Sequence, residues 1–196
     1  MKTSKRSLKI VVCGPVKGGK TSIANFLAGQ TENIGNANKI YEATVGVRQG
    51  FGYGYAAAAI LECEKQPGIT GDKVPVEIWD VSGDQAFESC WPAIIKGVDG
   101  VLLVYNPEIP THDTEVGIWY DQFVKRANLD NKQYQVVAHR ASPTPAPRSR
   151  LPPKLASLNG NIMYTNFTSN SQVIAGFEDF LREVVHQASA SHQQRK

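Results

Sequence analysis

Gly14 to Thr21 reads GPVKGGKT, a full match to the pattern G-x-x-x-x-G-K-[ST]. In such a loop the glycines let the backbone curl until successive N–H groups point at one anion. The N-terminus of the following helix adds its partial positive charge. Lys20 is placed to reach the outer phosphates of a bound nucleotide, and the Thr21 hydroxyl suits Mg²⁺. Context supports the match: LKIVVC, Leu8 to Cys13, is a short β-branched run ending at a glycine, and KTSIANFLAG has helical spacing at Ile23, Phe26 and Leu27. Strand, phosphate loop and helix follow one another, so Gly14, Val16, Lys17, Gly18, Gly19, Lys20, Thr21 and Ser22 are expected to line a phosphate site.

Further along the chain, VRQGFGYGYAAAAILECE and VPVEIWD read as two strands joined by the turn-rich KQPGITGDK, a hairpin. GFGYG opens a strand and lacks the spacing of a dinucleotide fingerprint. GVDGVLLVYN is the near-continuous apolar run of a central parallel strand. Thr111 is set to cap the next helix, with Asp113 and Glu115 in its first turn and Val116, Trp119, Tyr120, Phe123, Val124 and Ala127 on one face. After the strand YQVVAH, the prolines of RASPTPAPRSRLPPK enforce a loop. A strand, NIMYTNF, and a helix with Val173, Phe177, Phe180, Leu181, Val184 and Val185 at helical spacing close the pattern. Alternating strands and helices predict a three-layer α/β fold around a mostly parallel sheet with one antiparallel edge strand.

One globular domain over residues 8–187 is expected, with flexible tails at 1–7 and 188–196, since 196 residues with 41% hydrophobic content suffice for a single core. Twenty-one basic against 18 acidic side chains, a net charge of +3, argue against a nucleic-acid partner. Cys13, Cys63 and Cys90 have no metal-ligand spacing and read as reduced thiols. No apolar run reaches the roughly 18 residues of a spanning helix and no leader h-region is seen, which predicts a cytoplasmic protein. The pattern N-x-[ST] at Asn166 would then never meet the glycosylation machinery.

Two later stretches turn a phosphate loop into a switch. YEATVGV puts Thr44 in a loop before a strand, where its hydroxyl suits Mg²⁺ and the γ-phosphate, and VEIWDVSG ends a strand at Asp80, a second Mg²⁺ candidate, with Gly83 placed for a backbone contact to the γ-phosphate. In this order the motifs resemble those of the Ras superfamily of small GTPases, over Leu8 to about Gln187. The resemblance implies a six-stranded small-GTPase fold, GTP or GDP with Mg²⁺ as cofactors, and a partner surface around Thr44 and Gly83.

The departures narrow the resemblance. HRAS, His139 to Ser142, stands where the family reads guanine with Asn-Lys-x-Asp, so His139 and Arg140 become the local base-site candidates. The missing carboxylate costs about two decades of affinity at roughly 1.5–3 kcal/mol per charged hydrogen bond. Asn166, Phe167 and Thr168 replace Ser-Ala-Lys. Val16 replaces a glycine of the phosphate loop, and Asp84, followed by Gln85, stands where a glutamine orients water. With a C-terminal SASHQQRK that offers no cysteine for prenylation, the chain most resembles the Rab-like GTPase subunit of intraflagellar transport complex B. That resemblance implies docking on a coiled-coil heterodimer of transport subunits at the cilium or flagellum and its base, without a lipid anchor. Trp91 reads equally as core or as part of that docking face. The leading expectation is a GTP-binding adaptor with negligible turnover and no catalytic residue of its own. The alternatives are a constitutive subunit with nucleotide as folding cofactor and an active NTPase.

Overall fold

Alternation along the first strand sorts its side chains onto two faces, and the helices divide accordingly. The computed structural model describes residues 7–35, 44, 45, 47–49, 75–141, 151, 155 and 162–193. Six strands, β1 (Leu8–Cys13), β2 (Val47–Gln49), β3 (Val76–Val81), β4 (Gly100–Tyr105), β5 (Tyr134–Arg140) and β6 (Met163–Asn166), lie in the order β2-β3-β1-β4-β5-β6. β1 pairs in parallel with both β3 and β4, β4 with β5 and β5 with β6, while β2 runs antiparallel to β3. The expected α/β architecture is observed. Of the expected hairpin, residues 50–74 lie outside the described residues, as do Cys63, Ser142 and most of the proline-rich loop.

Leu8, Ile10 and Val12 face α1 (Lys20–Leu27) and α4 (Asn170–Gln193), packing with Ile23, Phe26, Leu27, Phe177, Phe180 and Leu181. Val11 and Cys13 face α2 (Trp91–Ile95) and α3 (His112–Trp119), with Ile94, Ile95, Val116 and Trp119. β4, buried at all six positions, serves both layers, as its unbroken apolar run requires. Burial in the second layer pushes the Cys13 thiol up, whereas Cys90 is exposed. No helix among the described residues is long and apolar enough to cross a membrane.

Two boundaries differ from expectation. α4 continues to Gln193, six residues past the expected domain edge at Gln187. The predicted helix after Thr111 changes character: α3 passes into a π-helical turn, Tyr120–Lys125, that carries Phe123 and Val124 into the core. Thr111 occupies the N-cap position, but its side chain makes no capping bond.

Trp91 belongs to the core. It is fully buried, its ring 4.7 Å from Trp119 and 5.4 Å from Phe123. The reading of Trp91 as part of a docking face is therefore withdrawn, because a ring enclosed by two others has no surface to offer. Trp91→Ala is expected to lower the unfolding free energy by about 3–5 kcal/mol. Urea denaturation measures this, and a loss below about 0.5 kcal/mol would indicate a surface residue.

Candidate nucleotide-binding site

β1 delivers the chain to the phosphate loop at the C-terminal edge of the sheet, between the ends of β3 and β4, where open α/β sheets place their ligands. The loop is wedged against β4. A Cβ at Gly14 would lie 1.9 Å from the Val104 carbonyl oxygen, and one at Gly18 2.9 Å from the same atom. The Pro15 carbonyl gathers the turn, accepting from the Gly18 N–H at 3.2 Å and from Lys20 Nζ at 2.7 Å. Lys17, at φ 62°, holds a left-handed conformation disfavoured for a side chain with a Cβ, while exposed Val16 forms the crest.

Gly19, also left-handed at φ 94°, opens α1 without a side-chain cap, so the first N–H groups of the helix keep their donor capacity for an anion. Lys20 is buried in the first turn. Burial pushes its amine down to about 8, opposed by the negative charge of Asp80. Ser22 stands on the partly exposed side of the same turn.

Thr21, Thr44 and Asp80, from three separate segments, meet beside that amine. The Thr21 hydroxyl donates to Asp80 Oδ2 at 2.8 Å and lies 3.0 Å from Thr44 Oγ1, which is itself 3.4 Å from Asp80 Oδ2. Two hydroxyls and one carboxylate form an all-oxygen donor set that fits Mg²⁺ retaining several waters, and the described residues hold no cluster of three His, Cys, Asp or Glu that would favour another ion. Gly83 closes the opposite wall: a Cβ there would come within 2.5 Å of the Val16 nitrogen and 2.6 Å of Lys20 Nζ.

Asp84 turns away from this centre. Its carboxylate accepts from the Ala86 N–H at 2.9 Å and caps the 3₁₀ turn Gln85–Cys90, while its own N–H donates to Ser82 Oγ. A short acidic side chain two residues before a free N–H forms such a local turn readily.

On the far side of the loop, His139 is buried under Gly19, where an added Cβ would strike the ring at 2.3 Å. Its Nδ1 lies 2.9 Å from Thr165 Oγ1, and Nε2 is buried with no hydrogen-bond partner among the described residues. Burial alone pushes its pKa down to about 4, so the imidazole is neutral at pH 7. Arg140 lies beside it with a buried Nη1 that also lacks a partner among the described residues. Asn166 and Thr168 spend their side chains on their own turn, Asn166 Oδ1 accepting from the Thr168 N–H and hydroxyl.

Three residues at the site were not anticipated. Phe167 stands 5.5 Å from the His139 ring and fills the space a side chain at Gly35 would need. Thr165 orients His139. His112, buried at the start of α3, accepts from the Asn106 N–H at 3.1 Å, with the Lys20 cation near enough to disfavour its protonated form. Phe167 had a signal, since it falls within the aligned Ser-Ala-Lys region; Thr165, one position before that region, and His112, more than 90 positions from Lys20, had none.

The family model "Ras of Complex, Roc, domain of DAPkinase" matches residues 9–141. The intraflagellar transport protein 22 homolog of Xenopus tropicalis is 36% identical over 186 residues, covering 93% of this chain and 92% of the relative. The Danio rerio homolog is 35% identical over 195 residues, covering 96% of each. The GTP-bound crystal structure of T. brucei IFT22/74/81 superposes with a TM-score of 0.69 at 24% identity, covering 95% of this chain and 99% of that chain, a likeness of fold.

The buried neutral imidazole fixes a pH dependence. In the unfolded chain His139 binds its proton near 6.5, in the folded chain near 4, so stability is lost as pH falls from about 6.5 towards 4. Between pH 7 and pH 5 this amounts to about 2 kcal/mol. His139→Asn is expected to remove that share of the acid loss, measured as the difference in urea unfolding free energy at the two pH values; equal acid losses in both proteins would contradict the assignment.

Proposed function

Because the chain belongs to the intraflagellar transport protein 22 family, with its Ras-like GTPase domain, we propose that it is a guanine-nucleotide-binding subunit of intraflagellar transport that holds GTP with little turnover and docks on protein partners. One observation carries the nucleotide part: Thr21, Thr44 and Asp80 converge beside the buried Lys20 amine, with Gly83 against the loop. Bound Mg²⁺ neutralises phosphate charge. Thr21, Thr44 and Asp80 would hold it, Lys20 and the N–H groups from Gly14 to Ser22 would hold the phosphates, and Gly83 would face the terminal one.

Base selection rests on a different set of groups from the family's. The Nε2 of His139, without a partner among the described residues, the Phe167 ring and Arg140 offer a hydrogen bond, a flat apolar face and a cation, without the carboxylate that accepts two N–H bonds from guanine. Guanine preference is accordingly reduced but retained.

Slow turnover follows from the same arithmetic of positions. Asp84, held on the Ala86 N–H, carries no amide to orient water, and a carboxylate about 4 Å from a γ-phosphate oxygen would be repelled by roughly 4 kcal/mol at an effective dielectric near 20. Val16 at the loop crest takes up space that an arginine supplied in trans would need.

Docking follows from family and surface. Val45, next to Thr44, is 77% exposed, an apolar side chain left in water beside a residue that the γ-phosphate would hold. The solved T. brucei structure is of IFT22/74/81, which supports intraflagellar transport proteins as the partners; the partner proposed is a coiled-coil heterodimer of such subunits, and the place of work the cilium or flagellum, reached from the cytoplasm.

Thr21→Asn is expected to weaken Mg²⁺-GTP binding at least tenfold while sparing GDP, measured by titration of a fluorescent nucleotide; unchanged GTP affinity would remove the phosphate-site assignment. ATP should displace GTP poorly in the same assay. In single-turnover hydrolysis at saturating Mg²⁺ the rate should lie below the roughly 10⁻⁴ s⁻¹ of intrinsic small-GTPase turnover, and Asp84→Ala should leave it there. A faster rate lost in that variant would make the carboxylate a working base.

A further inference from the structure

Asp80 lies near the end of β3 and His139 near the end of β5, on opposite flanks of the phosphate loop. With Mg²⁺ and the terminal phosphate on the Asp80 flank, the rest of a bound nucleotide must leave the loop towards β5 and β6, where its base would meet His139 and the turn that carries Phe167.

Side-chain acceptors are scarce on that flank. From Asn131 to Phe177 the sequence contains no Asp or Glu, so β5, β6 and the stretch between them offer no carboxylate. The amide oxygens of the turn before α4 are already engaged. Asn166 Oδ1 accepts from the Thr168 N–H at 2.8 Å and from its hydroxyl at 2.7 Å, which occupies both lone pairs. Asn170 Oδ1 accepts from the Ile34 N–H at 3.2 Å, and Asn33 Oδ1 accepts from Asn170 Nδ2 at 2.6 Å.

Donors, in contrast, are present. His139 is buried, its Nδ1 lies 2.9 Å from Thr165 Oγ1, and its Nε2 has no partner among the described residues; nor has Arg140 Nη1. A neutral imidazole that accepts at one nitrogen donates at the other. The Nε2 atom stands 3.3 Å from the place of a Gly19 Cβ, so a side chain there would block it.

This imbalance selects between purine edges. Guanine presents two acceptors, N7 and O6, on one edge and donors, N1–H and the 2-amino group, on another, whereas adenine replaces O6 by an amino donor. Hypoxanthine keeps N7, O6 and N1–H and lacks only the 2-amino group.

We propose that this chain reads its base through the O6 and N7 edge alone: the Thr165 hydroxyl donates to His139 Nδ1, His139 donates from Nε2 to that edge, and the 2-amino group goes unread. The site then takes 6-oxopurine nucleotides as a class, inosine as readily as guanosine. This rests on the nucleotide reading above and deepens it.

The test is displacement of ribose-labelled fluorescent GTP from the full-length chain in Mg²⁺ by GTP, ITP and ATP. ITP is expected to match GTP within about twofold, whereas a site that pairs a carboxylate with the 2-amino group loses roughly tenfold or more when that group is removed. ATP is expected to bind at least about tenfold more weakly, since its amino group would meet a donor with a donor. His139→Phe keeps a ring beneath Gly19 without an N–H and should bring ATP to within about threefold of GTP; His139→Gln, whose amide can donate, should restore part of the margin. A preference for GTP over ITP of about tenfold or more overturns the proposal and leaves the guanine reading standing. Loss of that preference in Glu32→Gln would then identify the carboxylate, since Asn170 Nδ2 holds the Glu32 carbonyl at 3.5 Å beside the turn. An unchanged ATP margin in His139→Phe overturns the proposal as well, and if that variant does not fold, the wild-type comparison of ITP with GTP still decides. ATP competing as well as GTP in the wild type would sink the guanine reading and this proposal together.

Discussion

The contact between the Thr21 hydroxyl and the Asp80 carboxylate, 2.8 Å long, joins the first turn of α1 to the end of β3, and the arrangement of the site hangs from it. Both ends are held by the sheet. β1 lies between β3 and β4, so the loop leaving β1 must emerge with Asp80 on one flank and Val104 on the other. Lys20 and Asp80 are each buried, and neither would be tolerated in that apolar setting without the opposite charge nearby. The polar cluster is thus a consequence of strand order as much as of residue type.

Fitting a phosphate loop into so narrow a slot leaves almost no room for side chains. Gly14 and Gly18 press on the Val104 carbonyl, Gly19 on His139 and Gly83 on Val16. Four close approaches, two of them to one carbonyl of β4, mean that β4, β5 and the segment after β3 all shape the loop. Local backbone freedom alone does not account for it. Lys17, left-handed in spite of its side chain, shows that the surroundings impose the conformation.

The departures from the small-GTPase pattern have physical outcomes of their own. His139, placed where an asparagine is usual, keeps a hydrogen bond to Thr165 and gains a ring that underlies α1. Phe167, in place of a small residue, packs beside that ring. Asp84 is absorbed by the backbone next to it. Together they leave aromatic packing at the positions of the family's base motifs, next to a phosphate loop that retains its polar groups.

What could be read from the sequence is what depends on neighbours in the chain. The phosphate loop, the strand before it and the helix after it are encoded within about 20 positions, through glycines that permit the turn and apolar spacing that fixes each element. The buried run of β4 and the amphipathic face of α4 were legible for the same reason. The meeting of Thr44 with Asp80 spans 36 positions, that of Thr21 with Asp80 spans 59, and that of His139 with Thr165 spans 26. For the first two, motif order suggested the encounter; for the third, nothing local did. The burial of Trp91 between Trp119 and Phe123, and the burial of His112 at the start of α3, were decided by tertiary structure alone. An indole or an imidazole is compatible with surface and interior alike, and only the packing of α2 and α3 onto the sheet determines whether water or another part of the chain becomes its partner.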